Sequence, residues 1–415
     1  MLIFRLEQSS EARQVRSTLF AFFAVFLAQF SLAALNHGIL VLAPIITKSA
    51  GLQAEAVGII GGLSGFGAIW CYAANSAILP YIGPLKALFW GCLVGSVAAI
   101  MFTFTLGWIG FFAALAVGFG HAIITPAGSI ILTDNTPKKL WGTIFSLRMA
   151  GVPAGGAFAG LVAATIITEY DWRLSLYILL CPSILTIYYL KLTKNEISLP
   201  SIKGAFALKT IFNPRLLFIP FKVVPTVRNL EKITFVSFGF AAVQGCVFTF
   251  FTTYLTMSVG FSLSVAGALY ATVQIFSFFG RIMMGIFDDL LGSPRILFAF
   301  LGFCSPIGLI ILVSLTPDSS KILLHFKCAL VGLLIASWNG LVLAEISRIS
   351  ASSDIGENIA ASTFFTFISY MVIPPIFGVV VHSFGYNFAF TFVGLLASLS
   401  SLTMLLFTVA ASKKY

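Results

Sequence analysis

Along the whole chain, runs of about twenty apolar residues alternate with short polar breaks, the length a helix needs to cross a hydrocarbon core of about 30 Å. Such runs lie near 17–43, 54–79, 85–105, 107–132, 141–168 and 173–191, and after a hydrophilic gap near 233–258, 262–287, 295–316, 321–346, 359–384 and 386–411. The pattern predicts an all-α membrane protein with twelve transmembrane helices, six plus six. It divides the chain into a six-helix bundle over 1–191, a linker over 192–232 and a second six-helix bundle over 233–415.

Composition narrows this further. Hydrophobic residues make up 59% of the 415 and charged residues only 9%, against roughly 45–50% and 25% in soluble domains, which excludes a soluble enzyme. Lys and Arg exceed Asp and Glu by 24 to 14. A nucleic-acid surface would gather that excess in one solvated patch, whereas here it sits in short loops, so no nucleic-acid partner is expected. Lys194, Lys203, Lys209, Arg215, Lys222, Arg228 and Lys232 mark the linker, and Lys138, Lys139, Arg295, Arg348, Lys413 and Lys414 fall on the same face. Positive residues stay on the cytoplasmic side, so the linker and both termini are expected in the cytoplasm and the chain in the cell inner membrane. The first sixteen residues are charged and the apolar run after them is too long for a signal-peptide core, so the N-terminus is expected to stay with the mature protein. The six cysteines lie in apolar runs without metal-ligand spacing and read as small buried hydrophobes. No cofactor or metal is expected.

A short segment recurs in the two halves. Gly83-Pro84-Leu85-Lys86 follows the second run and Gly292-Ser293-Pro294-Arg295 the eighth, 292 − 83 = 209 residues later. The stretch Gly280 to Gly292 resembles the loop signature of the major facilitator superfamily, G-x-x-x-D-[R/K]-x-G-[R/K]-[R/K]: Gly285, Asp289 and Gly292 match, and Arg295 stands just beyond the basic pair. In the first half only Gly83 and Lys86 survive, with Pro80 at the acidic position. Gly142 to Gly160 resembles fifth-span sequences of bacterial members, and Asp171-Trp172-Arg173 the family's Gly-Trp-Arg. The resemblance implies two pseudo-symmetric six-helix bundles, the major facilitator fold, and a monomeric secondary transporter working by alternating access. It implies that Asp289 braces the halves, and that the first and fourth helices of each half line the cavity.

The fifth run carries Gly151, Pro153, Gly155 and Gly156. Small residues four apart admit a close helix neighbour and Pro153 interrupts the hydrogen-bond ladder, so the run reads as a moving joint, with tight packing as the alternative.

An ionisable group inside a span costs about 2.5–3.5 kcal/mol on insertion scales, so each one is a candidate site. Arg148 lies three residues before Gly151 and is expected to point between the halves, unless it snorkels to the surface. His121 sits near the middle of the fourth run, and Gln29, Asn36 and His37 lie on the first. The second half offers Gln244, Tyr270, Gln274, Trp338 and Asn339. Each of these polar residues also serves as interhelical glue. No carboxylate lies at mid-membrane, so a cation would lack a counter-charge. The expected function is transport of a small organic anion held by Arg148, with His121 or His37 carrying a coupled proton. Efflux of apolar drugs, suggested by 43 Phe, and a non-transporting receptor of the same fold are the alternatives.

Overall fold

The computed structural model describes residues 10–53, 55–104, 108–137, 144, 147–167, 169–197, 213–291, 294–350 and 355–412. The first bundle comprises α1 (Ser10–Ser49), α2 (Ala56–Ile82), α3 (Pro84–Thr103), α4 (Trp108–Asn135), α5 (Gly151–Ile166) and α6 (Trp172–Thr193). The second comprises α7 (Leu230–Thr253), α8 (Leu263–Leu291), α9 (Pro294–Val313), α10 (Lys321–Ile335), α11 (Asn339–Ile349) and α12 (Ile355–Ser412). Eleven described stretches are long and apolar enough to cross a membrane, and the last runs 46 residues from Asn358 to Thr403. At 1.5 Å per residue that is about 69 Å, more than twice a hydrocarbon core. Gly385, at φ 80° and ψ 168°, breaks α12 there, so α12 makes two crossings and the crossings among the described residues number twelve.

Local chemistry sets the helix ends. Gly83, at φ 79°, turns α2 into α3 in a conformation L side chains avoid, and Pro84 opens α3 where a missing N–H costs nothing. Asp171 caps α6 by accepting from the Arg173 backbone N–H at 2.8 Å, while Arg173 Nε donates to the Thr103 carbonyl at 3.0 Å. The Asp-Trp-Arg segment is therefore a cap that also ties α6 to α3.

Two expectations are corrected. The tenth run, expected as one helix over 321–346, breaks at 336–338 between α10 and α11. Such a break survives at membrane depth only where protein satisfies its backbone. Here Ser277 Oγ and Arg281 Nε both donate to the Ala336 carbonyl, at 3.3 and 3.1 Å. Gly280 lets α8 come that close, since a Cβ there would lie 2.0 Å from Ser337 Oγ. The cysteines also differ: Cys71, Cys92, Cys246 and Cys328 are buried, but Cys304 is half-buried and Cys181 exposed on the outer wall of α6.

Arg16 on α1 pairs with Glu196 just beyond α6 at 3.0 Å, so the start of α1 lies on the face where the linker begins. On the opposite face the bundles meet backbone to backbone. Gly160 of α5 and Gly267 of α8 abut, a Cβ on either meeting the other's carbonyl at 2.6 and 2.8 Å. Gly58, Gly62 and Gly65 of α2 pack on Met371, Pro374 and Pro375 of α12. Thr252 Oγ1 of α7 donates to the Leu40 carbonyl of α1 at 3.1 Å. The bundles are thus closed on the face away from the linker.

Candidate functional site

Between these contacts and the linker face lie the polar side chains, in separate groups. His37 of α1 and Tyr270 of α8 bond across the bundles, Nδ1 to Oη at 2.5 Å. Gln274 Nε2, one turn along α8, donates to the same hydroxyl at 2.9 Å. Tyr270 and Gln274 are wholly buried, and Phe248 closes the cluster with its ring 5.4 Å from that of His37. Gly156 makes the approach possible, since a Cβ there would meet the Gln274 side chain at 2.7 Å. Gly155 faces the other way, onto the Phe30 carbonyl of α1 at 2.4 Å. The glycines of α5 therefore press one side on α1 and another on α8.

A second group lies at the broken span. Asn339 Nδ2 donates to Gln244 Oε1 at 3.2 Å, and Trp338 stacks on Phe240 with centroids 5.7 Å apart. Asn36 accepts from Ser64 of α2 at 3.1 Å, beside a cavity of about 10 Å³, room for roughly one water. Gln29 lies against Gly151.

Arg148 is 2% exposed and turns toward α4 of its own bundle. Its Nη1 donates to Ser129 at 2.9 Å and its Nη2 to the carbonyls of Thr125 and Ile124, at 2.7 and 3.4 Å. Of the counter-groups open to it, carbonyls are those present; among the described residues it has no ion pair. Among the described residues, buried polar atoms without a hydrogen-bond partner include Arg148 Nε, Gln29 Oε1, His121 Nδ1, Gln274 Oε1 and Trp338 Nε1. An unpaired buried polar atom costs about 1–3 kcal/mol, so these five residues keep bonding capacity for something else.

Sequence patterns did not single out Arg281. It lies well inside the eighth apolar run, where the logic that selects Arg148 selects it equally, and it also falls within the stretch that resembles the loop signature. Pro153 has no N–H, which leaves the carbonyl of Met149, four residues earlier, without its helical donor. Arg281 Nη1 reaches across from α8 and donates to that carbonyl at 3.2 Å. Pro153 therefore interrupts the hydrogen-bond ladder near the start of the span Leu147–Ile166 and frees this acceptor.

At the linker face Asp288, 3% exposed, accepts from Arg348 through both oxygens at 3.1 and 2.7 Å, with Glu345 alongside at 3.7 Å. This pair joins α8 to α11. Of Asp289 and Arg295 only the backbone is described, and Gly292 lies outside the described residues. Lys86 is exposed, and a Cβ on Gly285 would meet nothing within 4 Å. No group of metal-ligating side chains occurs among the described residues.

Residues 21–351 match the family described as Major Facilitator Superfamily. A gentisate transporter of Corynebacterium glutamicum is 26% identical over 142 residues, 33% of this chain and 32% of that protein, so the match spans about a third of that relative's length. Among solved structures, a bacterial homolog of the human lysosomal transporter Spinster, inward-facing and unoccupied, superposes with TM-score 0.70 at 16% identity over 95% of each chain. The peptide transporter POT in complex with sulfate gives TM-score 0.73 at 16% identity over 95% of this chain and 94% of that one. At these identities the structures speak for the fold alone.

Proposed function

We propose that this chain, which belongs to the Major Facilitator Superfamily, moves a small organic anion, of the aromatic carboxylate class, across the cytoplasmic membrane by alternating access. That it is a membrane transporter follows from family and fold; the substrate class is our inference. The observation that carries it is Arg148, a cation 2% exposed with no carboxylate paired to it among the described residues. A carboxylate can take two parallel bonds from a guanidinium, each stronger than a neutral hydrogen bond. The partial likeness to a gentisate transporter supports the same class. His37 carries the coupled proton in this account, because its bond to Tyr270 joins the bundles and changes donor and acceptor roles when the ring is protonated.

Binding to the folded state raises apparent stability by about 2.7 kcal/mol at a hundredfold excess over Kd. A thermal-shift panel of aromatic acids, amino acids, sugars and cationic dyes on purified protein should therefore show stabilisation by the acids. Stabilisation by cations alone would reject the proposal. We also place both termini and the linker in the cytoplasm, from the basic residues on that face; a C-terminal reporter active only outside the cell would contradict that placement.

A further inference from the structure

A second cation inside a span bears on what the anion looks like. Arg281 is only partly buried, yet it spends Nε and Nη1 on two carbonyls, one in each bundle, and no described residue accepts from its Nη2. No described residue forms an ion pair with it either. Bracing two carbonyls needs donors, and a neutral amide supplies donors without the cost of a charge at membrane depth. The positive charge is thus unexplained by the contacts it makes.

Where α2 meets α12, an aromatic row joins the two bundles. Tyr72 of α2 packs on Phe367 of α12 with centroids 5.0 Å apart, and Phe367 on Tyr370 at 5.5 Å. The row Tyr72, Phe367, Tyr370 therefore crosses from the first bundle to the second, and Arg281, through its bond to the Met149 carbonyl, stands at the residue next to Arg148. Both tyrosines are partly exposed within the bundle interior.

We propose that Arg281 is a second anion-binding residue, so that the substrate is a flat aromatic carboxylate bearing a second acceptor, a hydroxyl or another carboxylate, at its far end. This rests on the organic-anion reading above and adds the second group. Arg148 holds one end from the first bundle and Arg281 the other from the second. Since the two ends belong to different bundles, a ligand filling both sites stabilises their closure around it, whereas benzoate engages one end only.

The test compares benzoate, 4-hydroxybenzoate and terephthalate by thermal shift and binding titration on the purified full-length protein and on Arg281→Gln, which keeps donors and removes charge. Wild type should bind the two bifunctional acids roughly tenfold or more tightly than benzoate, the scale of one added charge-assisted bond. Arg281→Gln should erase that increment and leave benzoate nearly unchanged. A residue that only braces the bundles would shift all three ligands together, and that result, or a preserved increment, overturns the inference. If Arg281→Gln does not purify folded, Arg281→Lys keeps the charge but loses the planar fork, and the increment should shrink there too while benzoate stays put; an undiminished increment overturns the inference. Failure of all three acids to bind wild type would instead overturn the organic-anion reading, and this inference with it.

Discussion

Arg148→Ala should lower transport of an aromatic carboxylate by two orders of magnitude or more while the protein stays folded and inserted. Two charge-assisted bonds to a carboxylate are worth at least ~3 kcal/mol together, and each 1.4 kcal/mol is tenfold in affinity. Stability should fall only modestly, because two opposing effects partly offset each other. Removing the side chain gives up its bonds to Ser129, Thr125 and Ile124, about 1.5–3 kcal/mol for each well-formed bond of a charged donor. It also relieves the ~2.5–3.5 kcal/mol cost of a cation held in the membrane. A purely structural Arg148 predicts otherwise: a melting temperature lower by several degrees, with transport falling only in proportion to the folded fraction. Arg148→Lys should recover stability but little transport, since a point charge cannot make the paired bonds. Uptake and melting temperature measured on the same preparations separate the two accounts.

Gly160→Val should abolish transport by a different route. A Cβ at 160 would lie 2.6 Å from the Gly267 carbonyl and 2.8 Å from the Ala271 nitrogen, both backbone atoms that cannot rotate aside. The bundles could then no longer close on the face away from the linker, and a transporter needs to close each face in turn. Transport should fall to about a tenth or below, on the scale of an introduced overpacking clash of ~1–3 kcal/mol. Binding at Arg148, nearer the other face, should survive. The control is Gly285→Val, where a Cβ meets nothing; near-normal transport there, against loss at Gly160, would locate the constraint in packing between bundles. Equal loss at both positions would contradict this account.

Much of the fold was legible because the bilayer imposes one period and one length, so twelve apolar runs could be counted directly from the chain. The close helix pairs were legible too, since Gly155 and Gly156 have few uses besides admitting a neighbour. The broken tenth span was not. Ala336, Ser337 and Trp338 contain neither Gly nor Pro, and the break exists because α8 brings Ser277 and Arg281 against the Ala336 carbonyl. The direction of Arg148 was likewise hidden, because helical spacing gives the face of a residue near Gly151 but not the reach of a long side chain back to α4. At the linker face Asp288 is paired with Arg348, while the side chain of its neighbour Asp289, the residue the signature marks, lies outside the described ones. A motif match cannot tell adjacent carboxylates apart, whereas their helical faces differ by about 100°.

The central claim, that an organic anion crosses this protein by way of Arg148, is tested most directly by counterflow. Proteoliposomes preloaded with unlabelled 4-hydroxybenzoate are diluted into a trace of the labelled compound, with wild type and Arg148→Ala reconstituted side by side. The account predicts a saturable transient accumulation of label with wild type and none above empty vesicles with Arg148→Ala. Equal accumulation by a well-folded Arg148→Ala would contradict it.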